Sequence, residues 1–177
     1  MRKVVLYIGM SLDGYIADVN GGVSWLGGDG SDNDHPGSYP QFIETVDTII
    51  MGYKTYHQIV TELSKDAWAY PGKESYVITH NTITNTEEIT FTHKNLTDLI
   101  VELKKKKGKD IWICGGSSIA NQLIDSNMID RFCITLMPII LGNGIRLFDV
   151  HNKETQLKLS STQSYNGMTD LVYERRH

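Results

Sequence analysis

Two short stretches combine residue types suited to holding an anion. In "TIIMGYKTY", Gly52 precedes Lys54 and Thr55, and in "IWICGGSSI", Gly115 and Gly116 precede Ser117 and Ser118. Each runs from an apolar, strand-like segment through glycine into a helix-like one. A helix starting there leaves its first backbone N–H groups without partners, with the positive end of its dipole behind them. A phosphate suits that geometry, and the adjacent hydroxyls add donors. Each junction alone is more often a packed turn with capping hydroxyls. Two of them at the carboxyl ends of strands in one α/β chain bring the ligand reading level with the packing one. The chain contains neither Gly-x-Gly-x-x-Gly nor the P-loop pattern, which leaves Rossmann and P-loop assignments without support.

The elements that must position these turns follow from the hydrophobic pattern. Lys3 to Gly9 reads as a buried strand, and the polar, glycine-rich stretch from Ser11 to Pro40 is too long for a simple connector. "QFIETV" suggests a short helix, "DTIIM" a buried strand, "YKTYHQIVTEL" a helix and "SYVITH" another strand. Leu96, Leu99, Ile100 and Leu103 recur at helical spacing, with Asn95 as N-cap and Gly108 as a stop. "DIWIC", the helix "SSIANQLIDSN" and the strand "RFCITLMPII" follow. This alternation implies a mostly parallel sheet with helices on both faces. "TQLKLSSTQSY" and "MTDLVYERR" flank Asn166-Gly167, a strong hairpin signal, so an antiparallel pair closes the sheet edge.

Bulk composition narrows the partners. With 177 residues, 40% hydrophobic and 21% charged, the chain fits a single domain over residues 1–177. A formal net charge of -4 provides no basic field for nucleic acid or an anionic membrane. The basic run Lys104 to Lys107 falls at a helix C-terminus, where it complements the dipole. Cys114 and Cys133 sit in apolar strand-like segments without metal-ligand spacing, so reduced thiols and no metal site are expected. No signal-peptide pattern or membrane-length apolar run is present, which implies a cytoplasmic location.

The segments "MSLDGYIAD", "DTIIMGYKTY", "SYVITH", "IWICGGSSIANQL" and "PIILGNGIRLF" resemble, in order and spacing, the dihydrofolate-reductase-like superfamily. The nearest-looking branch contains the C-terminal reductase domain of the bifunctional riboflavin-biosynthesis enzyme and its stand-alone bacterial relatives. The resemblance implies a three-layer α/β/α fold with a mostly parallel mixed sheet, NADPH as cofactor, and a homodimer. It places Gly9 against the nicotinamide carboxamide, with Ile16 and Ala17 in a mobile loop covering that ring. Gly52, Lys54 and Thr55 match the helix start at the cofactor phosphates, and Thr79 the hydroxyl near the adenosine 2'-phosphate. Gly115, Gly116, Ser117 and Ser118 match the pyrophosphate turn. One position departs: Tyr53 stands where the family usually writes Arg, which removes a guanidinium suited to a phosphate and weakens the expected preference for NADPH over NADH.

Hydride chemistry belongs mostly to the cofactor, so the protein's own task is to stack two rings, exclude water and supply a proton. Folate reducers of this fold place one carboxylate on the helix after the mobile loop. Here that region is "GDGSDNDHPGSYPQF", with Asp29, Asp32 and Asp34 in an apparent loop and Ser38 and Tyr39 aligning best on the helix. Turn formation is the commoner role for such aspartates; Asp34, nearest the helix start, is the candidate catalytic residue. Trp25 sits where related reductases keep a pocket Trp, making it and Asp13 candidate substrate contacts, against structural roles as a loop anchor and a turn former. The expected activity is reduction of a small pyrimidine or pteridine, most like 5-amino-6-(5-phosphoribosylamino)uracil. Dihydrofolate reduction and a non-catalytic NADPH sensor are the alternatives.

Overall fold

The computed structural model describes residues 1–150 and 154–176. Its central sheet has eight strands. Six are parallel, in spatial order β5 (Ile89–Thr92), β4 (Glu74–Ile78), β3 (Val46–Gly52), β6 (Asp110–Gly115), β1 (Val4–Ser11) and β7 (Arg131–Met137). The hairpin β9 (Leu157–Tyr165) and β10 (Met168–Arg175) adds antiparallel to β7 through β10. Its turn places Asn166 and Gly167 at φ 47° and 72°, the left-handed pair that a two-residue hairpin requires. The mostly parallel α/β architecture and the antiparallel edge expected from the sequence are both present.

The central strands are apolar because helices cover both faces of the sheet. On one face lie α3 (Leu96–Lys105) and α4 (Ser117–Asp125), whose Leu99, Ile100, Leu103, Ala120 and Leu123 meet Leu6, Ile50, Ile111 and Ile113. The Asn95 side chain accepts hydrogen bonds from the Thr97 and Asp98 N–H groups, as an N-cap should. On the other face lie α1 (Tyr39–Ile43) and α2 (Tyr53–Gln58), the latter continued by a π-helical turn over Ile59–Leu63. Ile59 buries against Ile49, Met51, Val77 and Trp112 there. Leu123 is fully buried, and a group of that size contributes about 1.5–3 kcal/mol to holding α4, and hence the turn that precedes it, against the sheet.

Three elements went unseen in the sequence. β5 supplies the sheet edge, and a separate ribbon pairs β2 (Tyr15–Ala17) with β8 (Ile145–Arg146). The strand expected to run through "RFCITLMPII" stops at Met137. Pro138 has no N–H to donate to a ladder, and the chain turns away there.

Candidate active site

The two glycine-led turns lie side by side at the carboxyl edge of the sheet, because β3 and β6 are neighbours with Met51 opposite Gly115. A methyl group added to Gly116 would sit 3.4 Å from Thr55 Oγ1, and one on Gly52 would sit 3.9 Å from the Gly116 nitrogen. Gly116 is the N-cap of α4 and no side chain caps that helix, so its first N–H groups, at the positive end of the dipole, have no side-chain capping partner. The peptide joining Gly115 to Gly116 is cis. Asn121 ties the α4 start to the β8 segment, donating to the carbonyls of Ser117 at 2.7 Å and Leu147 at 2.9 Å. Ser118 accepts from Gln122 Nε2 at 3.2 Å.

Along the same edge, Thr79 follows β4, whose Ile78 pairs with Gly52. Thr79 is buried and its hydroxyl oxygen accepts from the Asn81 N–H at 3.0 Å, which leaves the hydroxyl hydrogen available to another acceptor. Lys54 is exposed. Tyr53 packs beside the rings of Tyr56 and His57. From Thr79 to Gly9 the edge crosses three strand spacings, about 15 Å. The candidate anion-binding groups therefore lie at the ends of neighbouring strands along one edge of the sheet.

Gly9 lies on β1 opposite Thr135 of β7. A methyl on it would lie 2.8 Å from Met137 Cε and 2.9 Å from Leu26 Cδ2, so its lack of a side chain leaves a slot over β1 that these two tips cap. Gly9, Leu26 and Met137 line a cavity of about 240 Å³ together with His35, Tyr39 and Tyr165. Ile16 and Ala17, expected in a mobile loop covering the nicotinamide ring, lie in the short strand β2, antiparallel to β8. Asp13 secures that arrangement. Its carboxylate accepts from Ser11 Oγ at 2.7 Å, from the Leu141 N–H at 3.1 Å and from the Gly142 N–H at 2.7 Å. Some desolvation raises its pKa, but these hydrogen bonds outweigh it and hold the carboxyl below its ordinary value. The structure thus uses the candidate contact Asp13 as a tie between the two segments.

A second cavity of about 240 Å³ adjoins the first, sharing Tyr7, Ser38 and Thr135 with it. Its roof is Gln41, Phe42 and Thr45, at and beyond α1; its floor is the sheet, including Cys133, Gln163 and Asp170. Asp170 is 7% exposed. Its carboxylate accepts from Thr135 Oγ1 at 2.5 Å and from the Tyr165 hydroxyl at 3.0 and 3.1 Å. Hydroxyls continue outward: Ser38 Oγ stands 3.4 Å from Tyr165 and 2.9 Å from the Tyr7 hydroxyl. Burial pushes the Tyr7 phenol up to about 12 and raises that of Tyr165, so both remain protonated donors at neutral pH. Burial likewise pushes the Cys133 thiol up to about 11, which keeps it a neutral wall group.

The candidates in the long loop fall elsewhere. Asp34 is exposed and is not among the residues lining either cavity, whereas its neighbour His35 stacks on Tyr165 at 4.6 Å between ring centroids. Trp25 gives its indole N–H to the Gly22 carbonyl at 3.2 Å, and Leu26 beside it is the residue that reaches the cavity. The loop docks on the hairpin turn: the N–H groups of Gly30 and Asp32 donate to Asn166 Oδ1. Sequence reasoning missed Asp170, Thr135, Tyr165 and Tyr7. The available signal was period-2 alternation in "MTDLVYERR", which puts Asp170 on the same strand face as Met168 and Val172.

Among the described residues, no group of three or more His, Cys, Asp or Glu side chains is arranged to hold a metal ion, and no helix is long and apolar enough to cross a membrane. Comparison with known proteins agrees with this architecture. The uncharacterized protein YwjB of Bacillus subtilis (strain 168) is 37% identical over 175 residues, covering 98% of each chain. The crystal structure of a protein assigned to riboflavin biosynthesis from Shewanella sp. PV-4 superposes with a TM-score of 0.85 at 27% identity, covering 99% of both chains. The diaminohydroxyphosphoribosylaminopyrimidine deaminase/5-amino-6-(5-phosphoribosylamino)uracil reductase of Thermotoga maritima shares the fold, with a TM-score of 0.73 at 12% identity over 99% of this chain and 57% of that one. The model of the RibD C-terminal domain family matches residues 2–173, and the chain belongs to that family.

Proposed function

We propose that this protein is an NADPH-dependent reductase of a small pyrimidine or pteridine. The observation that carries the reading is that the Gly52 and Gly115–Gly116 turns lie side by side at the same edge of the sheet as Gly9 and the cavity it lines. Family membership supports a reductase role. The residues present fit the cofactor: the α4 N-terminus, Ser117 and Thr55 would hold the pyrophosphate, Lys54 and Thr79 the 2'-phosphate, and Gly9 the nicotinamide. Bound there, NADPH supplies a hydride.

The chain's own residues do the rest. Leu26 and Met137 exclude water from the slot, and the β2–β8 ribbon closes its flank. The hydroxyls of Tyr7, Ser38, Tyr165 and Thr135, with Asp170, orient a polar heterocycle in the adjoining cavity. The test is oxidation of NADPH and of NADH by the purified protein, with dihydrofolate and with 5-amino-6-(5-phosphoribosylamino)uracil as substrates, alongside fluorescence titration of each cofactor. NADPH is expected to bind and to be consumed only when substrate is present. Binding without oxidation under any substrate would favour a sensor, and failure of NADPH to bind would remove the reading altogether.

A further inference from the structure

We propose that Asn121 is a positioning residue that couples the turn at the start of α4 to the β2–β8 ribbon, so that a nucleotide phosphate held at that turn tightens the flank of the Gly9 slot. The inference rests on the reductase reading for its ligand, and it names the residue through which the two ends of that ligand's site act on each other.

Asn121 is the fifth residue of α4 and is buried, on a helix face otherwise made by Ile119, Ala120, Leu123 and Ile124. A primary amide in apolar surroundings is costly unless each of its groups finds a partner. Here each does. Nδ2 donates to the Ser117 carbonyl at 2.7 Å and to the Leu147 carbonyl at 2.9 Å, and Oδ1 accepts from the Asp149 N–H at 3.1 Å. The orientation of the amide follows from its partners, because two carbonyls require N–H groups and an N–H requires the oxygen. A leucine there would join the apolar face and leave all three backbone groups without this partner. One side chain thus clamps the first residue of α4 to the chain leaving β8.

The clamp continues to the ribbon. Leu147 is fully buried, and its own N–H donates to the Gly14 carbonyl at 3.0 Å, in the turn between β1 and β2. A methyl on Gly144 would lie 2.2 Å from the Ala17 carbonyl oxygen, so the two sides of the ribbon touch there. Ser117, Asn121, Leu147 and Gly14 therefore form a continuous hydrogen-bonded series from the helix start to the head of β2. Freeing the segment at Leu147 and Asp149 from α4 breaks the Asn121 bonds. An anion accepted by the first N–H groups of α4 orders that turn, so less conformational freedom remains to be lost when the ribbon closes, which is the condition for positive coupling between two sites.

Amide hydrogen exchange with 2'-phospho-ADP-ribose tests the coupling, since this probe carries the phosphates of NADPH but puts no nicotinamide in the slot. Fluorescence titration follows the binding of the probe and of NADPH. In the wild type, saturation with the probe should slow exchange of the Leu147 N–H about five- to tenfold, the lower part of the range for coupled sites, while Val172 in β10 stays unchanged. Asn121→Ala should bind the probe yet show no such protection. The same holds for Asn121→Asp, which keeps the size and the acceptor but loses both donors. In both variants the affinity for NADPH should fall about fivefold more than that for the probe, because only NADPH draws on the ribbon. A merely structural side chain would lower the melting temperature and weaken both ligands alike while leaving the protection intact. Protection absent from the wild type with the probe bound, protection that survives both substitutions, or failure of both variants to fold would each overturn the proposal. If neither the probe nor NADPH binds the wild type, the reductase reading falls and the proposal with it; binding without protection removes the coupling alone.

Discussion

Replacing Gly9 by alanine separates the demands of folding from those of the cofactor. Gly9 lies within β1, and a strand position gains about 0.5–1 kcal/mol when glycine becomes alanine. Against that, the new methyl meets Met137 Cε at 2.8 Å and Leu26 Cδ2 at 2.9 Å. Carbon atoms prefer about 3.5–4.0 Å, so these two tips must retreat by roughly 0.6–1.2 Å. Both can. Leu26 is 41% exposed and swings toward solvent, and the methionine side chain adapts readily. The two contributions nearly cancel, and the melting temperature should stay within about 2–4 °C of wild type, the shift that roughly 1 kcal/mol produces at this size. Cofactor binding has no such escape, because the methyl fills the slot assigned to the nicotinamide. Overpacking costs about 1–3 kcal/mol, felt in the complex alone, which weakens NADPH binding about five- to 150-fold. Thermal melts paired with fluorescence titration and turnover measure both sides. A Gly9→Ala protein that melts normally and binds and oxidises NADPH like wild type would refute the placement of the ring at Gly9.

Two further outcomes follow from the surrounding structure. Asp13→Ala removes the acceptor for the Leu141 and Gly142 N–H groups, so hydrogen exchange at those two amides should accelerate about tenfold while that of Ile113 in β6 stays slow; turnover should fall as the β2–β8 flank loosens. Glu174 accepts from Lys3 and Arg131, both at 2.9 Å, and these bonds lower its pKa from 4.5 to about 2. A carboxyl depressed on folding stabilises the protein above its unfolded value and loses that contribution as pH falls through the folded one. Because the pair is 40% exposed, Glu174→Gln should cost no more than about 1 kcal/mol at pH 7, with the gap between variant and wild type closing between pH 4.5 and 2 in urea melts.

Much of the fold was legible because each piece of it is local. The spacing of Leu96, Leu99, Ile100 and Leu103 needs only one helix to be meaningful, and the Asn166-Gly167 turn needs only its own dihedral angles. The glycine turns were legible for the same reason, since a strand that ends in glycine before a helix announces itself along the chain. The β2–β8 ribbon was not, because its pairing joins Tyr15 to Arg146 and each half is only two or three residues long. Asp34 is the candidate the resemblance points to, because it directs attention to the helix after the long loop, where the carboxylate of folate reducers sits.

The buried Asp170 beside the cavity depends on something a sequence displays poorly, which is where cover stops. α1 is only five residues long; its Phe42 stacks on Tyr7, and with Gln41 and Thr45 it roofs, without filling, the space over β7 and β10. The face carrying Thr135, Asp170 and Gln163 is left as a cavity floor, whereas the opposite face of the same strands sends Ile134 and Phe132 into the main core. Alternation alone assigns Asp170 to one of two faces of a strand. Had a longer helix crossed that face, an aspartate there would be a buried liability; under a short one it becomes a charged group at the wall of a cavity. The chemistry of this site therefore depends as much on the brevity of α1 as on the residues that β7 and β10 supply.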